Sequence, residues 1–158
     1  MKSTMPSTSV AETSAYRAQL GRFRKQAGGL AGMVGEVNDN ACSTYANDPG
    51  NPYLEVTYTD SYTWGGSQIV DVGLNQQAAT ADMRAELAAV EQEASLDVAH
   101  NDPSAGRIVA VAKETLTHRD VDSLVSGLQT ISRLSGDIQA TLPAQPSSFR
   151  RLLNWLHL

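Results

Sequence analysis

Two amphipathic helical patterns joined by one polar break fill residues 76–142, and they constrain the fold more than any other feature of the chain. From Gln76 to Ala99, the residues Met83, Leu87, Val90, Ala94 and Val98 recur on one stripe, while Asp82, Glu86, Glu91, Glu93 and Asp97 mostly fall elsewhere. That spacing predicts a helix with one buried face. The run His100 to Gly106, with Asn101, Asp102, Pro103 and Ser104 at its centre, is a strong break signal. Beyond it Ile108, Val109, Ala112 and Leu116 lead into Leu124, Leu128, Ile131, Ser135, Ile138 and Leu142, with Asp120 as a polar interruption. Unbroken from Arg107, this second helix would extend roughly 54 Å at ~1.5 Å per residue. The dense β-branched residues of 107–112 also allow a short strand there, although the helical reading is preferred.

The period changes upstream. In Tyr53 to Trp64 the residues Leu54, Val56, Tyr58, Tyr62 and Trp64 alternate with Glu55, Thr57, Thr59, Ser61 and Thr63, which predicts a strand with one buried face. Gly65 and Gly66 can reverse the chain into Gln68 to Leu74, with Val70 and Val72 on the face of Tyr58 and Val56. An isolated hairpin is marginal in water, so this one should lie on a helix or add to another subunit's sheet edge. Asn38 to Pro52, which holds Asn47-Asp48-Pro49-Gly50-Asn51-Pro52, reads as a turn-rich connector.

The N-terminal 13 residues form a polar leader rich in Ser and Thr, of a composition that predicts disorder. They lack the apolar region and cleavage site of a classical secretion signal. Tyr16, Leu20 and Phe23 then fit one face of a helix from about Ser14 to Lys25, with Thr13 or Ser14 as its cap. Gly28, Gly29, Gly32 and Gly35 follow, and because each glycine costs a helix about 1 kcal/mol relative to Ala, propensity alone would end the helix there. Gly28 and Gly32 have a small-xxx-small spacing, open to close packing, a loop, a subunit interface or a membrane-active patch. At the other end Pro143 and Pro146 stop the long helix. Phe149, Leu152, Leu153 and Leu156, with Trp155 nearby, form an amphipathic tail too short to be a stable helix without docking.

The fold class that follows is mainly α: an antiparallel helical hairpin with an inserted two-stranded β-hairpin and a short C-terminal helix. Residues 14–142 form a single domain, with the β-hairpin at about 53–74, between the leader and the Pro-linked tail of residues 143–158. The hydrophobic fraction of 41% contains 20 alanines and only nine aromatics, so bulky groups for a private core are scarce and association with protein partners is favoured.

Charge is segregated. Residues 1–35 carry a net +4, residues 36–106 carry twelve acids against Arg84 alone, and residues 107–142 balance. An acidic middle repels phosphate backbones, and the basic group Arg17, Arg22, Arg24 and Lys25 is short, so no nucleic-acid partner is expected. Complementary ends could steer head-to-tail subunit contacts; a solvated charged face or an internal contact between the two regions is the plainer reading. No apolar run approaches the roughly 20 residues of a membrane span, and two basic residues in the tail do not favour membrane contact.

Chemistry finds little support. His100, His118, His157 and Cys42 show no metal-ligand spacing, and nothing near Cys42 activates its thiol. Asp82 with Glu86, and Glu91 with Glu93, read as a solvated acidic face. No catalytic residue, metal or cofactor is expected, and the chain is read as non-enzymatic.

The helix, Asn-Asp-Pro-Ser turn, helix arrangement of residues 77–142 resembles the needle and inner-rod subunits of type III secretion systems. The resemblance implies that residues 101–104 are the turn of a polymerising hairpin and that Leu124, Leu128, Ile131 and Ile138 are packing residues. The expected function is therefore that of a structural subunit, likened to a filament, secretion-apparatus or virion protein, forming a homo-oligomer. Its expected contacts are Tyr58, Tyr62 and Trp64 of the β-hairpin, Leu124, Leu128, Ile131 and Ile138 of the long helix, and Phe149, Leu152, Leu153, Trp155 and Leu156 of the tail. The alternative is an adaptor or secreted effector that binds one protein partner through its acidic helix or apolar tail. Compartment is left open, with non-classical export or a virion both compatible.

Overall fold

The computed structural model describes the backbone of residues 10–61, 66–100 and 103–142. It contains α1 (Val10–Asp39), α2 (Ala41–Asn47), β1 (Leu54–Ser61), β2 (Gly66–Leu74), α3 (Gln76–His100), α4 (Ala105–Leu116) and α5 (Val121–Thr141). The chain is mainly helical, with one antiparallel two-stranded sheet among the described residues, as its periodicities predict.

The four longer helices form a bundle that runs alternately up and down. Arg17 Nη1 donates to the Gln139 carbonyl at 3.4 Å and Asn38 Nδ2 donates to Asp122 Oδ1 at 2.7 Å, so α1 and α5 are antiparallel. An ion pair joins Arg22 of α1 to Glu93 of α3, while the start of α3 lies near the C-terminal end of α1, so those two are antiparallel as well. Short connections fold α4 back on α3 and α5 back on α4. The β-hairpin sits at the pole where α1 ends and α3 and α5 begin.

The core is the junction of all four stripes. Leu20, Phe23, Ala27, Ala31, Val34 and Val37 of α1 meet Ala79, Met83, Leu87, Val90 and Ala94 of α3, Ile108 and Ala112 of α4, and Val121, Leu124, Leu128, Ile131, Leu134 and Ile138 of α5. Burying each Leu, Ile, Val, Phe or Met side chain contributes about 1.5–3 kcal/mol, which is what holds a helix such as the 12-residue α4 that could not stand alone.

α1 does not end at Lys25, and it starts at Val10 rather than at a Thr13 or Ser14 cap. It crosses the glycines because packing on α5 holds it helical, and at Gly28 the close approach of α5 leaves no room for a side chain. A Cβ on Gly28 would lie 2.7 Å from Ser132 Oγ, whose hydroxyl donates to the Arg24 carbonyl at 2.9 Å. Gly21 faces the end of the Gln139 side chain and Gly35 faces Val125 at an ordinary contact distance, so the three lie at seven-residue intervals along the α1–α5 contact but only Gly28 excludes a Cβ. Gly32 has nothing within 4 Å, so the small-xxx-small pair splits into one packing glycine and one solvent glycine.

Two further expectations are revised, and the preferred helical reading of residues 107–116 holds. The second long helix is two: Thr117 to Asp120 break it, and the Asp120 side chain caps α5 by accepting from Ser123 N–H at 2.9 Å. The polar interruption in the stripe is therefore a helix start, and no 54 Å rod forms. Residues 107–116 are helical, since Ile108, Ala112 and Thr115 recur at helical spacing on the buried face. The connector 38–52 contains α2, capped when Asn40 Oδ1 accepts from Ser43 N–H at 2.9 Å. The turn residues Asn101 and Asp102, and the short C-terminal helix with the whole tail, lie outside the described residues.

Candidate functional site

The β-hairpin is the one described element that leaves large apolar side chains grouped in solvent, and its base is fixed by polar contacts rather than by more sheet. Asn51 is buried; its side-chain amide donates to the Met33 carbonyl at 3.0 Å and its Oδ1 accepts from Tyr53 N–H at 2.9 Å. The Tyr53 ring is buried beside α3, and its hydroxyl donates to Asp82 Oδ2 at 2.7 Å. Burial, then the hydrogen bond to Asp82 and that residue's charge, push the phenol up to about 12. The Tyr53 carbonyl accepts from Asn75 N–H at 2.8 Å, and Asn75 Oδ1 accepts from Ala78 N–H at 3.1 Å, so strand pairing passes directly into the cap of α3.

Moving outward, Leu54 pairs with Leu74 and Val56 with Val72, all half-buried. A bulge then intervenes. Thr57 pairs with Asp71 but Tyr58 pairs with Ile69, so Val70 is the extra residue and not the partner of Tyr58. The face expected to be buried is covered only at its base. Tyr58, Ile69 and Val70 are 56%, 45% and 60% exposed. Tyr58 is hydrogen-bonded to Tyr45 of α2, and that contact followed by the Tyr45 charge raises its phenol above the ordinary range. Among the described residues the sheet has two strands, so the outer edge of each has no third strand against it.

The other residues expected at contacts fall differently. Leu124, Leu128, Ile131 and Ile138 are at most 4% exposed and lie in the chain's own core, so they are not available to another subunit. The reason is that α1, which seemed to end at Lys25, continues along α5 and covers its stripe. Tyr62, Trp64, Phe149, Leu152, Leu153, Trp155 and Leu156 lie outside the described residues. The exposure of Val70 departs from the expected pairing with Tyr58 because alternation alone does not reveal a bulge.

Electrostatically the two poles differ. Residues 36–83 carry seven acids and no Lys, Arg or His and build most of the hairpin pole, which the α4–α5 connection and the start of α3 complete with Arg84, His118 and Arg119. Residues 13–35 carry Arg17, Arg22, Arg24 and Lys25 and no acid, and the four lie on the N-terminal half of α1 at the far pole, where the C-terminal half of α3 also brings Glu91, Glu93 and Asp97. One basic–acidic contact is internal, the Arg22–Glu93 ion pair. Beside it, burial and then the charge of Glu93 raise the Glu86 carboxyl, against the opposing pull of Arg22.

Chemical sites are not evident. Among the described residues no group of three or more His, Cys, Asp or Glu could hold a metal ion. Cys42 is exposed on α2. A groove of about 540 Å³ between α4 and α5 contains His118, just beyond the end of α4, whose Nε2 lies 3.1 Å from Glu114 Oε2 of the last turn of that helix. Among the described residues no helix is long and apolar enough to cross a membrane. No protein-family model, curated protein or solved structure matches the chain.

Proposed function

We propose that this chain is a non-enzymatic structural protein that self-assembles into a larger complex, of the kind that builds a secretion-apparatus filament or a virion, and that the β-hairpin makes the contact. One observation carries the reading: Tyr58, Ile69 and Val70 stand exposed together on a ribbon whose outer edges carry no third strand among the described residues. An apolar ribbon of that kind is a template for pairing with another chain, and the acidic residues around it limit which chains. The helical bundle fills its own core, so the long-helix stripe has no part in this contact.

Light scattering after size exclusion, over a range of concentrations, tests the proposal, followed by electron microscopy of any large species. Growth into filaments, rings or shells is the expected result. Ile69→Lys should keep the helical circular dichroism and thermal midpoint while raising the concentration needed for assembly by about tenfold or more. Leu128→Asp is the contrasting variant: it places a charge in the core, costs more than about 4 kcal/mol and should abolish folding rather than assembly alone. A fixed monomer or dimer at every concentration would overturn the proposal in favour of an adaptor that holds one protein partner.

A further inference from the structure

We infer that the surface receiving the hairpin is on a second copy of this chain, at the groove over the N-terminal half of α1, so that subunits join head to tail; this rests on the assembly reading above. The groove, of about 590 Å³, is lined by Arg17, Ala18, Gly21, Arg24 and Lys25 of α1 and by Gln139 of α5. Its shape comes from the close approach of the two helices. Gly21 presents no side chain where Gln139 Nε2 donates to the Arg17 carbonyl at 3.1 Å, and the Arg24 stem lies over Gly136.

Charge selects the occupant. Arg24 and Lys25 are exposed and make no ion pair among the described residues. Glu55 and Asp71 of the hairpin are exposed and likewise make none. Those two acids share the polar face of the ribbon, since Asp71 pairs with Thr57 and Glu55 is two residues from Thr57 on the same strand. That polar face offers the basic groove two carboxylates, while Tyr58 and Ile69 lie on the opposite face of the ribbon.

The occupant cannot be the hairpin of the same chain. That hairpin sits at the end of α1 near Asp39, and 14 residues of helix separate Asp39 from Lys25, about 21 Å at 1.5 Å per residue. Donor and acceptor surfaces are therefore different patches on opposite ends of one subunit. Such a heterologous contact leaves an open donor and an open acceptor after every addition, and propagates into a filament or closes into a ring.

A charge-swap experiment on the full-length protein tests the inference. The Arg24→Glu/Lys25→Glu variant has an acidic groove facing an acidic hairpin, and Glu55→Lys/Asp71→Lys has a basic hairpin facing a basic groove. Each alone should need about tenfold or more higher concentration to assemble, with unchanged circular dichroism and thermal midpoint. Mixed in equal amounts they should assemble again, because each groove then meets a hairpin of opposite charge. Wild-type assembly should also weaken on going from about 0.05 to about 0.5 M salt, where screening shortens the reach of these charges. If the wild type assembles and both variants assemble equally well, or if mixing restores nothing, the head-to-tail contact is wrong while the assembly reading stands. If the wild type never assembles, both fall.

Discussion

Gly127 of α5 lies against Thr115 of α4 so closely that a Cβ at Gly127 would come within 2.7 Å of the Thr115 Cβ and overlap its hydroxyl and methyl groups. The Thr115 hydroxyl is held in place, donating to the Val111 carbonyl at 2.7 Å. Gly127→Ala should therefore destabilise the fold by about 1–3 kcal/mol despite the better helix propensity of Ala. Thr115→Ala should relieve part of that loss when combined with it. Urea denaturation of the two single variants and the double variant checks the coupling, and additive effects would show that the two residues do not meet.

Along α1 the glycines should separate by position. Gly32→Ala meets open space and should stabilise by about 0.5–1 kcal/mol, because Ala loses less conformational freedom in a helix. Gly28→Ala must displace Ser132, whose hydroxyl bonds the Arg24 carbonyl, and should destabilise by about 1–2 kcal/mol. Opposite signs in thermal or chemical denaturation are the expected outcome; equal signs would mean that α5 does not pack on Gly28.

The Tyr53–Asp82 hydrogen bond anchors the hairpin to α3, and Tyr53→Phe should cost about 1 kcal/mol at neutral pH. The folded phenol titrates at about 12 against an ordinary value of 10.0, so its contribution is full below pH 10 and is lost as pH rises through 12. The stability gap between wild type and Tyr53→Phe should accordingly narrow across that window. A gap that stays constant from pH 8 to about 11.5 would contradict the burial of this phenol.

Glu86 is the opposite kind of group, an acid held above its ordinary value by burial and by Glu93. Its contribution is present below about pH 4.5 and is lost as pH rises through the raised folded value, so at neutral pH the ionised form is a cost. Glu86→Gln should stabilise at pH 7 by less than about 1 kcal/mol and have no effect near pH 4. Thermal melts at the two pH values distinguish this from a simple gain in helix propensity, which would not depend on pH.

Much of the fold could be read from periodicity. The α3 stripe of Met83, Leu87, Val90 and Ala94 is buried as its spacing predicts, and so is the α5 stripe from Leu124 to Ile138. The alternation of Leu54, Val56 and Tyr58 correctly marks β1. Helix ends were harder to place. Asp120 was recognisable as a polar residue in an apolar stripe, but only its extended backbone and the bond from Ser123 N–H make it a cap. Likewise Gly28 looked like a helix breaker until Ser132 stood where its side chain would be.

For the candidate site the division is sharper. The sequence by itself determined that charge is segregated, that the hairpin alternates, and that no metal or nucleophile motif is present, because these depend on residue type and spacing. Which apolar stripe faces solvent was decided by tertiary structure alone. Every stripe has the same local pattern, whether it meets another helix of its own chain or a second molecule. Burial depends on what packs against it: α1 extends along α5 and covers Leu128, while nothing among the described residues continues the sheet beyond the strands that carry Tyr58 and Ile69.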